Sequence, residues 1–385
     1  MKLSKKSMSI EPSLTRQLFN LARQYNDVID LTLGDPDVMP EEGIRKAAAN
    51  AITEGKTRYS ANAGLLDVRS EIAEMFADEY KTEINPAANL IMTVGGMEAL
   101  FLALATIIDE GDEVIIQAPY YVNYVQMVRM CGGVPVLIET KEEEQFVFSV
   151  KDVEEKITPR TVAMILNTPC NPTGQVLSGK LLDELAELFT QRDILVISDE
   201  VYRTLIYKGM HESIITRPGM QERTVLVDSL SKRFAMTGYR IGFAIGPDEW
   251  IAAMVKMQEN VAACAPLPSQ YAAIEAYRNY KNDTSICELF SKRARMMEAA
   301  INESTVIHCV PYVATFYLFV NIQKTGMTSL EFAYKLLEQE HVAVAPGVAY
   351  GQAYDSYIRI ACTLKEDMLL KATEKILKFV ETTGE

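Results

Sequence analysis

TVLVDSLSKRFAMTGYRIGFAIG, residues 224–246, is the stretch from which the rest of the chain can be ordered. It opens with an apolar, β-branched run, residues 224–227, of the kind that fills a strand buried on both faces of a parallel sheet. The run ends where Ser229, Ser231 and Lys232 come together. In open parallel sheets, ligands gather at such carboxyl ends of strands. A lysine sheltered there beside Arg233 and Arg240 has its ammonium form disfavoured and can act as an amine nucleophile. For an isolated Ser-x-Ser-Lys the alternative is a surface lysine with two unrelated serines. Here Gly238-x-Arg240-x-Gly242 follows at once and adds a second cation to the same turn.

Outward from this stretch, short β-branched runs alternate with helical ones from Asn89 onward, the pattern of a parallel sheet with crossover helices. Strands are expected at about residues 90–94, 113–117, 134–138, 162–166, 194–198, 224–228 and 240–245. The last follows its predecessor too closely for a long crossover and is expected to run antiparallel, at an edge or between other strands. A helix over about 248–264 is stopped by Pro266 and Pro268, which mark a domain hinge. Beyond 282 the pattern becomes helix, strand (315–321), helix, strand (341–345), strand (356–361), helix, a smaller α+β unit. Residues 1–30 read as an arm and one amphipathic helix, 14–25, with Leu14, Leu18, Leu21 and Ala22 on one face. The expected organisation is α/β, with a mostly parallel seven-stranded sheet: 1–45 as arm and part of the small domain, 46–282 as the large domain, 283–385 as the small domain.

With 385 residues, 48% of them hydrophobic and 23% charged, the chain can bury a large core. A net charge of −14 and no dense basic run exclude nucleic acid as an electrostatic partner. The mildly basic N-terminus has no apolar stretch behind it, and no apolar run is long enough to span a bilayer, so the expectation is a cytoplasmic protein without a membrane partner. The six cysteines, at 131, 170, 264, 287, 309 and 362, form no Cys-x-x-Cys pair and read as reduced and mostly buried. Three histidines without ligand spacing give no metal site. Walker, Gly-x-Gly-x-x-Gly and Gly-x-Ser-x-Gly motifs are absent. The acidic run 141–145 reads as a solvated loop.

Four further segments carry chemistry. In NLIMTVGGMEALFLALATIID a strand ends at Val94, and a helix opens near Met97 after Gly95 and Gly96. Unpaired N–H groups at the positive end of the helix dipole form a phosphate seat, although a plain tight turn has the same pattern. In DILVISDEVY, Asp199 ends a buried strand. Burial there disfavours a charged carboxylate, so Asp199 either needs a cation or caps the next helix. In VAMILNTPCNPTG, prolines stiffen a loop in which Asn171 can donate its amide. In SYIRIACT, Arg359 stands between Ile358 and Ile360, either edge-exposed or committed to an anion.

In chain order, Tyr59, Gly96, Tyr121, Asn171, Asp199, Tyr202, Ser229, Lys232, Arg240 and Arg359 resemble the pattern of class I and II aminotransferases, fold-type I enzymes that use pyridoxal phosphate (PLP), over nearly the whole chain. The resemblance implies a role for each. Lys232 would hold the cofactor as a Schiff base and move the substrate's proton. Asp199 would keep the ring nitrogen protonated, which makes the ring an electron sink. Tyr202 and Asn171 would meet the ring O3′, and Tyr121 would stack on the ring. Gly95, Gly96, Met97, Ser229, Ser231 and Arg240 would hold the phosphate. Arg359, with Asn171 and the backbone of Gly34, would clamp the substrate carboxylate. Tyr59 would reach the phosphate of a neighbouring subunit, which implies a homodimer with shared active sites. The implied catalytic set is Lys232, Asp199 and Tyr202. The implied reaction moves an amino group between an L-amino acid and a 2-oxo acid; a carbon–sulfur β-lyase or related α,β-eliminating enzyme of the same fold is the alternative. Met97 is apolar where relatives using dicarboxylates can carry a cation, and no second arginine is assigned to a side-chain carboxylate. Apolar, aromatic and acidic substrates all stay open.

Overall fold

The computed structural model describes residues 2–383. Its central sheet has seven strands: β1 (Leu90–Thr93), β2 (Glu113–Ala118), β3 (Val134–Glu139), β4 (Thr161–Asn167), β5 (Leu195–Asp199), β6 (Thr224–Ser229) and β7 (Gly242–Ile245). They lie in the order β1-β7-β6-β5-β4-β2-β3. β7 runs antiparallel to both neighbours, and the other pairings are parallel. The segment after β6 is too short for a crossover that would return the chain to the same direction, so β7 turns back and takes the interior place between β6 and β1.

All six residues of β6 are buried, as are all six of β2, because helices cover both faces of the sheet. Successive side chains point to opposite faces. Ile91, Val114, Ile116, Ile165, Ile197 and Val227 therefore join one core, with the Gly96–Ala105 helix. On the other face Leu90, Met92, Leu226 and Phe243 pack with Ile72 and Phe76, and Met164 and Val196 pack with Leu182 and Phe189. Each fully buried aliphatic or aromatic side chain contributes about 1.5–3 kcal/mol. A one-residue slip in any strand would exchange the two faces, so this packing fixes the register and with it the position of every strand end.

A second sheet is antiparallel: Tyr317–Asn321 lies between Tyr357–Ala361 and His308–Cys309, and Ala345–Pro346 pairs with Tyr357–Ala361. Its core takes Leu18 and Ala22 from the helix Leu14–Ala22, together with Ile29 and Leu31. Ile29–Asp30 pairs in parallel with Val342–Ala343. The start of the chain is thus built into its C-terminal unit.

Four expectations are corrected. Pro266 and Pro268 do follow the end of one helix, Asp248–Val261, but they also open the next, Leu267–Tyr280, which packs on Glu42–Thr53 and Leu66–Tyr80. A proline in the first turn forfeits no intrahelical hydrogen bond, so these prolines start one helix as much as they end another. The strand expected at 341–345 is two short ones, in different sheets. The run 141–145 is more than a solvated loop, because Glu142 is bonded to His308 (2.7 Å), Asn321 (2.7 Å) and Tyr357 (2.8 Å). All six cysteines are free and three are buried, fewer than expected.

Candidate active site

β1, β4, β5 and β6 run in the same direction, so their carboxyl ends share one edge of the sheet. Antiparallel β7 brings its amino end to that edge, where Gly242 stands in register between Thr93 and Ser229. This pairing draws three distant segments into one corner. A Cβ on Gly242 would lie 2.6 Å from the Gly96 nitrogen, so only glycine allows the two chains to pass this closely. Gly95 has φ +78°, and a Cβ there would lie 2.6 Å from Arg240 Nη2. The Arg240 guanidinium donates to the Thr237 carbonyl at 2.8 Å. Ser229 Oγ donates to Ser231 Oγ at 2.9 Å. Two hydroxyls, a guanidinium and the first N–H groups of the Gly96–Ala105 helix thus share a corner whose chemistry suits a phosphate.

Gly96, Ser229, Ser231 and Arg240 line a cavity of about 720 Å³ that also holds Gly34, Met97, Tyr121, Asn171, Asp199, Tyr202, Lys232 and Arg359. Lys232 Nζ donates to the Gly34 carbonyl at 2.6 Å. Burial lowers its pKa, and Arg359 and Arg240 add to the fall against Tyr317 and Asp35. Asp199, at the end of β5, is only 3% exposed. Burial pushes its carboxyl up to about 6, against hydrogen bonds from Tyr124 Oη at 2.6 Å and Val201 N at 3.3 Å; Asp228 and Glu200 add to the rise. A buried carboxylate served by these neutral donors favours the arrival of a cation.

Tyr202 Oη lies 3.1 Å from Tyr317 Oη, and burial together with that neighbour raises its pKa. Tyr121 meets Tyr124 edge-on, 5.5 Å between ring centres, and its hydroxyl accepts from Asn123 Nδ2 at 3.1 Å. Burial pushes the Tyr121 hydroxyl up to about 12. Arg359 is not edge-exposed: its strand is paired on both sides, with Phe319 and Ala345 opposite it. Its Nη1 donates to Asn171 Oδ1 at 3.2 Å and its Nη2 to the Thr32 carbonyl. Among the described residues its buried Nε has no partner, and the guanidinium lies 4.1 Å from the centre of the Tyr317 ring. A sheltered, stacked arginine with an unused donor is prepared for a carboxylate.

Two expected residues stand apart. Gly95 lies against Arg240 behind the phosphate corner. Tyr59 does not line its own chain's cavity and is 86% exposed. Several lining residues were not anticipated. Tyr124 falls one helical turn after Tyr121, a spacing that could have flagged it. Asn167 ends β4; its Oδ1 accepts from Asn171 N at 2.9 Å and its Nδ2 donates to the Asp199 carbonyl at 3.2 Å, tying the loop to the next strand. Tyr317 and Tyr350 come from the second unit, and Thr15, Arg16 and Phe19 from the N-terminal helix, none with a local signal.

PLP fits these residues. Its phosphate suits the corner at Gly96 and Arg240, its ring nitrogen needs a buried acid such as Asp199, and its aldehyde needs an amine of lowered pKa such as Lys232. A model of the class I and II aminotransferase family matches residues 26–376. The chain is 36% identical to aromatic-amino-acid aminotransferase 2 of Thermococcus litoralis over 99% of both chains, and 38% identical to the aspartate aminotransferase of Pyrococcus abyssi over 96% of both. Among solved structures, Thermus thermophilus aspartate aminotransferase with maleate superposes with a TM-score of 0.93 at 35% identity, covering 98% of this chain and 99% of that one. The aromatic aminotransferase of Pyrococcus horikoshii gives 0.89 at 36% identity, covering 95% and 99%. A cavity with these groups, in a chain matched along its length, makes this protein a member of the class I and II aminotransferases, fold-type I enzymes that use PLP to move an amino group between an amino acid and a 2-oxo acid.

Proposed function

We propose that Lys232 is the attachment point of PLP and the proton carrier of the reaction. The observation that carries this reading is one amine of lowered pKa sharing a cavity with the sheltered, partly unpaired guanidinium of Arg359. Bound PLP supplies an electron sink that makes the substrate's Cα acidic. Arg359 and Asn171 hold the substrate's carboxylate and so fix which Cα bond faces Lys232. With PLP bound, Lys232 Nζ would take the substrate's Cα proton and deliver it to the cofactor carbon on the other side of the amino nitrogen. Asp199 keeps a proton on the ring nitrogen, and Tyr202 and Asn171 serve the ring oxygen. Tyr121 would pack on the ring, and Gly96, Met97, Ser229, Ser231 and Arg240 would bind the phosphate, with Gly95 leaving room for the Arg240 guanidinium.

The exposure of Tyr59, outside its own chain's cavity, supports a homodimer in which Tyr59 completes the partner's phosphate site. Six free cysteines suit a reducing cytoplasm. Relatives named for aromatic amino acids, aspartate and prephenate support aromatic and acidic substrates. The test is a half-reaction screen: each L-amino acid is added to the PLP-loaded enzyme without an acceptor while the cofactor's absorbance is followed. Loss of absorbance that a 2-oxo acid restores is expected. Ammonia release from β-substituted amino acids with no acceptor present would instead establish elimination.

A further inference from the structure

Four cations line the cavity: Arg16, Lys232, Arg240 and Arg359. Three have hydrogen-bond partners already described. Arg16 differs. It sits on the Leu14–Ala22 helix, its side chain is exposed, and among the described residues no carboxylate pairs with it. Its guanidinium lies 5.1 Å from the centre of the Phe19 ring. A ring takes the flat face of a guanidinium and leaves its N–H edge free, and that edge is what binds a carboxylate bidentately. The backbone beneath is fixed, because Thr15, Leu18 and Ala22 are buried.

The rest of the lining explains why this edge matters. Leu33, Met97, Leu100 and Val122 are apolar, and Phe19 and Tyr121 are aromatic. Of the two lining carboxylates, Asp35 accepts from Thr237 Oγ1 at 2.7 Å and Asp199 accepts from Tyr124. We propose that Arg16 admits dicarboxylic substrates, pairing its free edge with the substrate's distal carboxylate, while Phe19, Met97 and Tyr121 admit aromatic side chains in the same cavity. One site can serve both because Arg16 is exposed. A buried arginine left without its anion carries a large desolvation penalty, whereas a solvated one stays in water when an uncharged side chain enters. The inference rests on the aminotransferase reading of the cavity.

The test uses the PLP-loaded enzyme and Arg16→Gln. Maleate and 3-phenylpropionate serve as non-reacting analogues whose binding is measured directly, alongside kcat/KM for glutamate and phenylalanine. Maleate affinity and kcat/KM for glutamate are expected to fall about tenfold to a hundredfold, the range of a hydrogen bond to a charged group. Both values for the aromatic ligands are expected to hold. High salt should weaken maleate binding to the parent enzyme much more than to the variant, since the Debye length shrinks from about 10 Å at 0.1 M to about 3 Å at 1 M. Equal losses for both classes, no loss for the dicarboxylates, or a parent enzyme that ignores dicarboxylates would overturn the assignment. A parent enzyme that transaminates nothing, phenylalanine included, fails the underlying reading instead and takes this inference with it.

Discussion

Replacing Asp199 by asparagine separates what the carboxylate costs the fold from what it does for the cofactor. Burial lifts its pKa from 3.8 to about 6 in the folded chain. That is about two pKa units, so at 1.36 kcal/mol per unit the ionised side chain costs the apoenzyme about 3 kcal/mol. A raised pKa means that the folded chain binds the proton more tightly than the unfolded chain. This contribution is therefore fully present below about pH 4, is lost as the pH rises through about 6, and is flat above that. Asparagine keeps the shape and still accepts from Tyr124 Oη, which lies 2.6 Å from the carboxylate, but carries no charge. In urea unfolding of the two apoproteins, the parent should lose about 2 kcal/mol relative to Asp199→Asn between about pH 4 and pH 7. Saturating PLP should reverse the order, because a ligand that binds only the folded state stabilises it in proportion to its affinity, and the ring's cation answers the carboxylate alone. Parallel pH slopes in the two apoproteins would refute burial as the cause of the shift. Equal stabilisation by PLP would refute the pairing with the ring nitrogen.

Borohydride reduction of the PLP-loaded enzyme should fix the cofactor on Lys232, and Lys232→Ala should keep neither the label nor the yellow colour; a label surviving in the variant would place the attachment elsewhere. Arg359→Ala should weaken every amino acid by about thirtyfold to several-thousandfold, the usual cost of leaving one partner of a sheltered ion pair alone. An effect confined to one substrate would make Arg359 a reader of side chains. Mixing inactive Lys232→Ala with impaired Tyr59→Phe subunits should restore activity, since a hybrid dimer gathers both defects in one site and leaves the other intact. Remixing that never raises activity counts against a shared site.

The sheet was legible in the sequence because its cause is local: a β-branched run such as residues 224–227 has to be buried wherever it occurs. The ends of the strands were less so. The seventh strand was expected from residue 240 and begins at Gly242, because Arg240 adopts a left-handed φ of +52° that no apolar pattern reports. In the site, Lys232, the serines and Arg240 are carried by one turn and could be read together. Tyr317 and Tyr350 belong to another unit, and Arg16 to the first helix; they reach the cavity only through tertiary packing. Glu142 shows the same limit, since its partners His308, Asn321 and Tyr357 are far along the chain and a run of glutamates looks solvated without them.

The pairing of Ile29–Asp30 with Val342–Ala343 also sets a schedule for biosynthesis. A ribosome adding about 5–20 residues per second needs roughly 15 to 60 s to make the intervening chain of about 300 residues. During that time the seven strands of the central sheet emerge and can pair, since none of them pairs with the first 89 residues. The helix Leu14–Ala22, whose Leu18 and Ala22 need partners beyond residue 290, has no core to enter. This helix therefore leaves the ribosome long before the core it docks on. A nascent chain stopped short of residue 343 carries all seven strands of the central sheet and an apolar helix face whose partners have yet to be made.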